Sequence, residues 1–318
     1  MLSSQGTNPW AIVLAGGEGS RVQPFLSELC GGTGIKQFCT IIGKDSMVQQ
    51  TVKRVERLTS RDRILVSLNS RHRNEATTQL SDLPPDNLIF QPTNLDTAAG
   101  ILLPLAHISN RDPEALVAIF PSDHFIRDEK SFVACAKKAV AEVKKHPEAL
   151  ILLGVAPESP DESYGWIEPT SIQNDQKSVA VHSFCEKPDA NEARKLMLRG
   201  SLWNTFVFVA RAEVIWNLVL LSVPELYCIF STIRLMLPSE HARSVIDFAY
   251  RALRPVNFSS AILSKSNAHL RVLRVPQVGW SDWGTKERIL ASLAEIGRLD
   301  ECLDRLKASA AMESSQVG

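Results

Sequence analysis

Neither sign of charge dominates this 318-residue sequence: 35 Lys and Arg stand against 35 Asp and Glu. That balance excludes the broad basic footprint of a nucleic-acid binder, and no nucleic-acid partner is expected. Long apolar runs are missing too. The longest, at 10–15 and 149–156, are strand-length and fall far short of the roughly 18 residues that cross a bilayer, so no membrane association is expected. Positions 1–9 are polar and lack a basic stretch followed by an apolar one, so no secretory leader is read there and a cytoplasmic location is expected. Cysteine is sparse: Cys30, Cys39, Cys135, Cys185, Cys228 and Cys302 form no C-x-x-C pair and do not cluster with the seven histidines. This argues against a disulfide framework and against structural zinc. There is no repeat at solenoid period and no low-complexity tract.

What is present is an ordinary globular composition, 44% hydrophobic, arranged in alternating short apolar runs and amphipathic stretches. Runs at 10–15, 63–69, 87–91, 115–120 and 149–155 read as strands. Between them Met47, Val48, Thr51, Val52, Val55 and Leu58, and later Phe132, Ala136, Ala139, Val140 and Val143, recur at helical spacing. This predicts an α/β fold with a Rossmann-like, mixed but mainly parallel sheet flanked by helices, and a small C-terminal extension of helix and strand. After Val155, prolines 157, 160 and 169 mark an excursion, followed by strands at 179–185 and 203–210. The pattern from 211 to 253 is helical, interrupted by Pro224 and Pro238; a late strand at 271–275 precedes a helix at 285–299. One domain over 1–300 is expected, with 10–155 and 156–300 as its halves and 301–318 as a partly disordered tail.

The sharpest local signal is the apolar strand that runs into Gly16-Gly17-Glu18-Gly19-Ser20-Arg21. Glycines allow backbone N–H groups to approach a polyphosphate closely, and an arginine fork can hold its oxygens. A dinucleotide fingerprint would need glycine where Val22 stands, which disfavours a dehydrogenase, and a Walker A loop would need Gly-Lys-Ser/Thr. A tight strand-to-helix turn with a surface arginine is the alternative.

Continued through Val22-Gln23-Pro24-Phe25, the segment resembles the G-G-x-G-[ST]-R-x-x-P-[LF] signature of the sugar-1-phosphate nucleotidyltransferases, and the resemblance extends along nearly the whole chain. Lys36-Gln37-Phe38 and the helix start at 45–51 resemble the mannose-1-phosphate guanylyltransferase branch, and 91–99 resembles the segment facing base and ribose. Pro121-Ser122-Asp123-His124 is similar to P-[AS]-D-H, 184–188 to F-x-E-K-P, 203–205 to W-N-[ST]-G, and 280–285 to W-x-D-x-G. The resemblance implies a GT-A-like nucleotidyltransferase fold that joins an NTP to a sugar 1-phosphate with release of pyrophosphate. Within it, GTP with mannose 1-phosphate is the leading pair. Another NTP or hexose 1-phosphate, and a catalytically silent nucleotide-sugar-binding regulatory subunit, are the alternatives. A homodimer is left open.

The chemistry needs no protein nucleophile, because the attacking phosphate is already ionised; it needs positive charge and a cation to offset repulsion between two polyanions. Mg²⁺ is the expected cofactor, held by Asp123 and Asp282, since it prefers oxygen and uses one or two carboxylates with substrate phosphates. By resemblance Arg21 and Lys36 hold the phosphates. Leu14, Ala15, Gly16, Gly17, Gly19, Ser20, Gln91 and Thr97 line the nucleotide, and Gly165, Glu186, Lys187 and Asn204 line the sugar phosphate. Without the resemblance, Asp123 and Asp282 read equally as helix-capping carboxylates, Lys36 as a solvated charge, Gly165 as a turn glycine and Asn204 as a strand-end cap. His124 reads as a hydrogen-bonding neighbour rather than a ligand. Four positions depart from the family pattern: Ile35 stands for proline after a longer glycine-rich stretch at 31–34, Leu95 and Asp96 replace the commoner basic-Asn pair, and Phe206 stands where glycine is expected.

Overall fold

The computed structural model describes residues 8–32, 34–171 and 177–316. Most of the opening segment read for a leader therefore lies outside the described residues, as do Thr33 of the glycine-rich stretch, 172–176 of the excursion, and 317–318. In chain order the strands are β1 (Trp10–Ala15), β2 (Ile64–Asn69), β3 (Leu88–Gln91), β4 (Leu116–Pro121), β5 (Phe125–Ile126), β6 (Leu150–Val155), β7 (Gly165–Pro169), β8 (Val179–Glu186), β9 (Leu202–Arg211), β10 (Leu270–Val275) and β11 (Trp280–Ser281). The helices are α1 (Gln23–Cys30), α2 (Met47–Val55), α3 (Arg73–Gln79), α4 (Asp96–Arg111), α5 (Glu129–Lys145), α6 (Ala190–Leu198), α7 (Ala212–Ser222), α8 (Pro224–Met236), α9 (Ala242–Ala252), α10 (Phe258–Ala261), α11 (Lys286–Glu295) and α12 (Leu299–Gln316).

Nine strands form one sheet in the order β3-β2-β1-β4-β9-β6-β10-β8-β7. β1 pairs in parallel with both β2 and β4, and β10 with β6; β9 and β8 are antiparallel to their neighbours, so seven of the nine strands point one way. The mainly parallel sheet expected from the alternation is what forms. Its central strands are apolar on both faces because helices cover both. Ile12 points into a cluster with α4, α7, α8, α9 and α10, while Ala11 and Val13 point into one with α2, α3, α5 and α6. Helices α1, α11 and α12 close a third apolar cluster around Trp283.

Chain order reverses across β1: β2 and β3 extend to one side and β4 to the other. In such sheets, ligands bind at the carboxyl ends of the strands beside that reversal. The glycine loop leaves β1 there, and Ser122 and Asp123 leave β4 beside it, with the Ser122 N–H donating to Leu14 O at 3.0 Å. Pro224 sits in the first turn of α8, and Pro238 falls just beyond its end, as helix breakers should.

Two expectations near the C-terminus differ from the structure. The helix expected at 285–299 stops at Glu295, because Gly297 takes φ +67, the left-handed conformation that ends helices. The segment expected as a partly disordered tail from 301 is helical as far as Gln316. Its order follows from Cys302 and Leu306, spaced i, i+4, which pack into the third cluster. Among the described residues no helix is long and apolar enough to cross a membrane.

Candidate active site

Lys36 lies in a single 3₁₀ turn, Lys36–Phe38, and is 3% exposed rather than solvated. Its Nζ donates to Asp123 Oδ2 at 3.0 Å and to the backbone carbonyl of Asp282. Ile35, in place of proline, has φ −71, a value proline itself adopts, so the substitution leaves the approach to Lys36 unchanged. Gln37 ties this turn to the glycine loop, donating from Nε2 to Ala15 O at 2.9 Å and Gly17 O at 2.8 Å. Gly19 has φ +60, and a Cβ there would lie 3.1 Å from Lys36 Cβ. Ser20 and Arg21 are exposed, and Arg21 Nη2 reaches to within 3.2 Å of where a Gly284 Cβ would lie.

The ribbon of β5 and β11 brings together the chain segments that carry the two aspartates. Ser281 pairs with Phe125 and Trp280 with Ile126, so one further step of this antiparallel register sets Asp282 opposite His124. Neither aspartate caps a helix: Asp128 caps α5 and Thr285 caps α11. Burial is the largest single influence and opposes ionisation of Asp123, but the Lys36 ammonium, together with His124 and a backbone N–H, holds the carboxyl below its ordinary value. Burial likewise opposes ionisation at Asp282, and its charged neighbours, Arg288 and Lys36 among them, carry that carboxyl down as well. The His124 imidazole, lowered by burial, stands 3.9 Å from Asp123 Oδ1 and edge-on to Trp280. Tyr164 Oη, Arg288 Nη1 and the Gly284 N–H converge on Asp282 Oδ1 at 2.9, 2.9 and 3.0 Å.

The glycine loop also lines a cavity of about 320 Å³, with Leu14, Gly16, Gly17, Gln91, Asp96 and Thr97 among its walls. Gln91 is buried, donates to Ser67 Oγ at 3.2 Å and accepts from Tyr250 Oη at 3.2 Å. A Cβ on Gly16 would lie 2.9 Å from Gln91 Nε2, so this glycine is set by close approach. Thr97 Oγ1 accepts from Phe258 N at 2.8 Å, and Asp96 Oδ1 accepts from Thr97 N and Asn257 Nδ2. Ala15 contributes through its backbone, beneath the loop.

Gly165, the residue after Tyr164, pairs with Glu186, and a Cβ on Gly165 would lie 2.6 Å from Glu186 Oε2 and 3.4 Å from Asn204 Cβ. The Lys187 N–H donates to Tyr164 O at 3.1 Å. Burial raises the Glu186 carboxyl and Asp96 adds to the rise, against the pull of Lys187 and a hydrogen bond from Ser259. Asn204 Oδ1 accepts from Phe206 N at 3.0 Å inside a bulge of β9.

The expected residues thus gather in three sets: Lys36 with Asp123 and the Asp282 carbonyl; Leu14, Gly16, Gly17, Gln91 and Thr97 around the cavity; and Gly165, Glu186 and Asn204 together, while Gly19 packs on Lys36 and Ser20, Arg21 and Lys187 are exposed. Sequence reasoning missed Gln37, Asp161, Tyr164 and Arg288. Gln37 carried a readable signal, a polar residue between Lys36 and Phe38; Arg288, three residues past a capping threonine, reads as an ordinary helix-surface charge.

The family model for nucleotidyl transferases matches residues 10–297. A mannose-1-phosphate guanylyltransferase of Salmonella montevideo is 30% identical over 306 residues, covering 91% of this chain and 60% of that protein. A second, of Salmonella typhimurium, is 33% identical over 68% of this chain and 44% of its own length. The chain therefore spans about half the length of these curated relatives. A crystal structure described as a mannose-1-phosphate geranyltransferase of Thermus thermophilus superposes with a TM-score of 0.73 at 22% identity, covering 87% of this chain and 77% of that one, and shares the fold. With the model match spanning the sheet, the glycine loop and both aspartates, the chain belongs to the nucleotidyl transferase family.

Proposed function

We propose that this chain transfers a nucleotidyl group from an NTP to a sugar 1-phosphate, with GTP and mannose 1-phosphate as its substrates. The observation that carries the reading is the convergence of Lys36, Asp123 and Asp282, tied through Gln37 to the glycine loop that lines a cavity of about 320 Å³ and through Tyr164 to the Gly165–Glu186–Asn204 cluster. Lys36 binds the α-phosphate as a point charge, and Arg21 reaches the outer phosphates as a fork. The sugar 1-phosphate, placed by Lys187 with Glu186 and Asn204 at its hydroxyls, attacks the α-phosphorus as an oxyanion. No side chain need remove a proton, and pyrophosphate leaves on the Arg21 side. The names of the relatives support mannose 1-phosphate and the guanylyl group. Asp96, a carboxylate lining the nucleotide cavity, suits the N–H donors of guanine.

The donor set fits Mg²⁺. Asp282 accepts from Tyr164, Arg288 and Gly284 on Oδ1 and Asp123 accepts from Lys36 on Oδ2, so among the described residues no side chain donates to Asp282 Oδ2, and the His124 ring stands 3.9 Å from Asp123 Oδ1. Asp123 and Asp282 would hold the ion, with phosphate oxygens completing its shell, and it would supply charge to offset repulsion between the two phosphates. Six scattered cysteines without a C-x-x-C pair support a cytoplasmic location.

Pyrophosphate release from a panel of NTPs and sugar 1-phosphates, with Mg²⁺ and with EDTA, tests this. Release confined to GTP with mannose 1-phosphate and lost in EDTA is expected. Release with another pair reassigns the substrates, and none with any pair, in a folded chain that binds GDP-mannose, makes it a regulatory subunit.

A further inference from the structure

Arg288 makes more polar contacts around the proposed cation site than any role assigned so far requires. Its Nη1 donates to Asp282 Oδ1 at 2.9 Å, its Nη2 donates to Asp161 Oδ2 and to Ser163 Oγ, the latter at 2.7 Å, and its guanidinium carbon lies 4.4 Å over the Tyr164 ring. Tyr164 in turn donates its hydroxyl to the same Asp282 Oδ1. Asp161 is itself anchored, its Oδ1 accepting from the Ser163 N–H at 2.8 Å and Oγ at 2.6 Å, and its carbonyl accepting from Trp166 Nε1 at 3.0 Å. The next residue after Tyr164 is Gly165, at the sugar flank.

We propose that Arg288 is a positioning residue for Asp282: its fork fills Oδ1, leaves Oδ2 for the divalent cation, and couples that carboxylate to the 161–164 turn beside the sugar pocket. This rests on the nucleotidyltransferase reading above. A guanidinium this close to a cation ligand also repels the cation, so orientation and charge act with opposite sign. The direction in which metal affinity moves when Arg288 is removed therefore separates them. A lysine keeps the charge but cannot span Asp282 and Asp161 together.

Mn²⁺ retained in the protein–GTP complex, read by electron paramagnetic resonance without sugar phosphate, gives a signal independent of turnover. Arg288→Met is expected to weaken Mn²⁺ retention about tenfold and lower kcat by a similar factor, with KM for GTP within about threefold, the size typical of groups that orient a ligand. Arg288→Lys should not restore either quantity. Asp161→Asn, which leaves Arg288 and Asp282 in place but loosens the brace, should move both in the same direction by less, and carries the test if Arg288→Met fails to fold. Unchanged or tighter Mn²⁺ retention in these variants would overturn the positioning role. A wild-type chain that retains no Mn²⁺ with GTP and releases no pyrophosphate overturns the underlying reading as well.

Discussion

Among the described residues four non-glycines hold a positive φ, Asp96, Lys187, Phe206 and Trp283, and each lies in or beside the candidate site. Such conformations cost of order 1 kcal/mol or more and persist where surrounding contacts over-determine them. Phe206 is the most informative. Its φ of +58 explains why glycine suits this position in the family pattern, so a sequence departure marks a backbone requirement that the structure makes visible. Its ring, half-buried and edge-on to Phe208 at 6.0 Å, packs against the cluster beneath α10. Phe206→Gly should relieve about 1 kcal/mol of strain but forfeit roughly 2 kcal/mol of aromatic burial. A net loss of about 1 kcal/mol in urea denaturation is expected; a gain would show that strain outweighs packing. Lys36 teaches the converse: its identity was legible beside Gln37 and Phe38, but its burial depends on Asp123 and Asp282, which no local pattern places next to it.

Single elements show how local signals and remote partners combine. The apolar spacing of α2 was legible, since Met47, Val48, Thr51, Val52 and Val55 fall on one buried face, but the reciprocal capping box of Ser46 and Gln49 and the end of the helix before Leu58 came from the structure. Helix α5 was legible as an amphipathic helix but not in its chief polar contact. Glu142 accepts from the Ser178 N–H at 3.0 Å, its Oγ at 2.6 Å and Lys145 Nζ at 2.7 Å. Burial works against this charge, yet these donors carry the carboxyl from its ordinary 4.5 to about 2. Because the folded value is depressed, the stabilisation is fully present above about pH 4.5 and is lost as pH falls toward 2. Glu142→Gln should therefore be less stable at pH 7 and lose less than the wild type between pH 5 and pH 3. Parallel losses in urea titrations at the two pH values would remove Glu142 from the acid transition.

Across the whole molecule, the C-terminal helix braces the loop that carries Lys36. Arg305 on α12 donates to Leu29 O at 3.1 Å, Thr40 O at 2.9 Å and Ile41 O at 3.0 Å, tying the end of α1 to the middle of the stretch that leads to α2. Gly34 closes that stretch against α1, where a Cβ would lie 2.3 Å from Ser27 Oγ. Arg305→Ala should cost about 2 kcal/mol, because it leaves several carbonyls without a donor, and should speed amide hydrogen exchange across 29–41 while leaving the β-sheet unchanged. Uniform exchange at wild-type rates in that segment would contradict the brace.

Local sequence was enough to specify the alternation of strand and helix, the glycine turn after β1, the breaks at Pro224 and Pro238, and the residue types gathered at the site. These depend on periodicity, backbone permissiveness and side-chain chemistry, which are properties of neighbours along the chain. It took the folded chain to bring Lys36 to Asp282 across 246 positions, to draw the segments of the two aspartates together beside the β5–β11 ribbon, to run β8 and β9 against the rest, and to join Asp161 to Asp282 through Arg288. Such meetings are set by strand register and by the packing of helices over a sheet, where energy comes from burial shared among remote residues and leaves no periodic trace in any one segment.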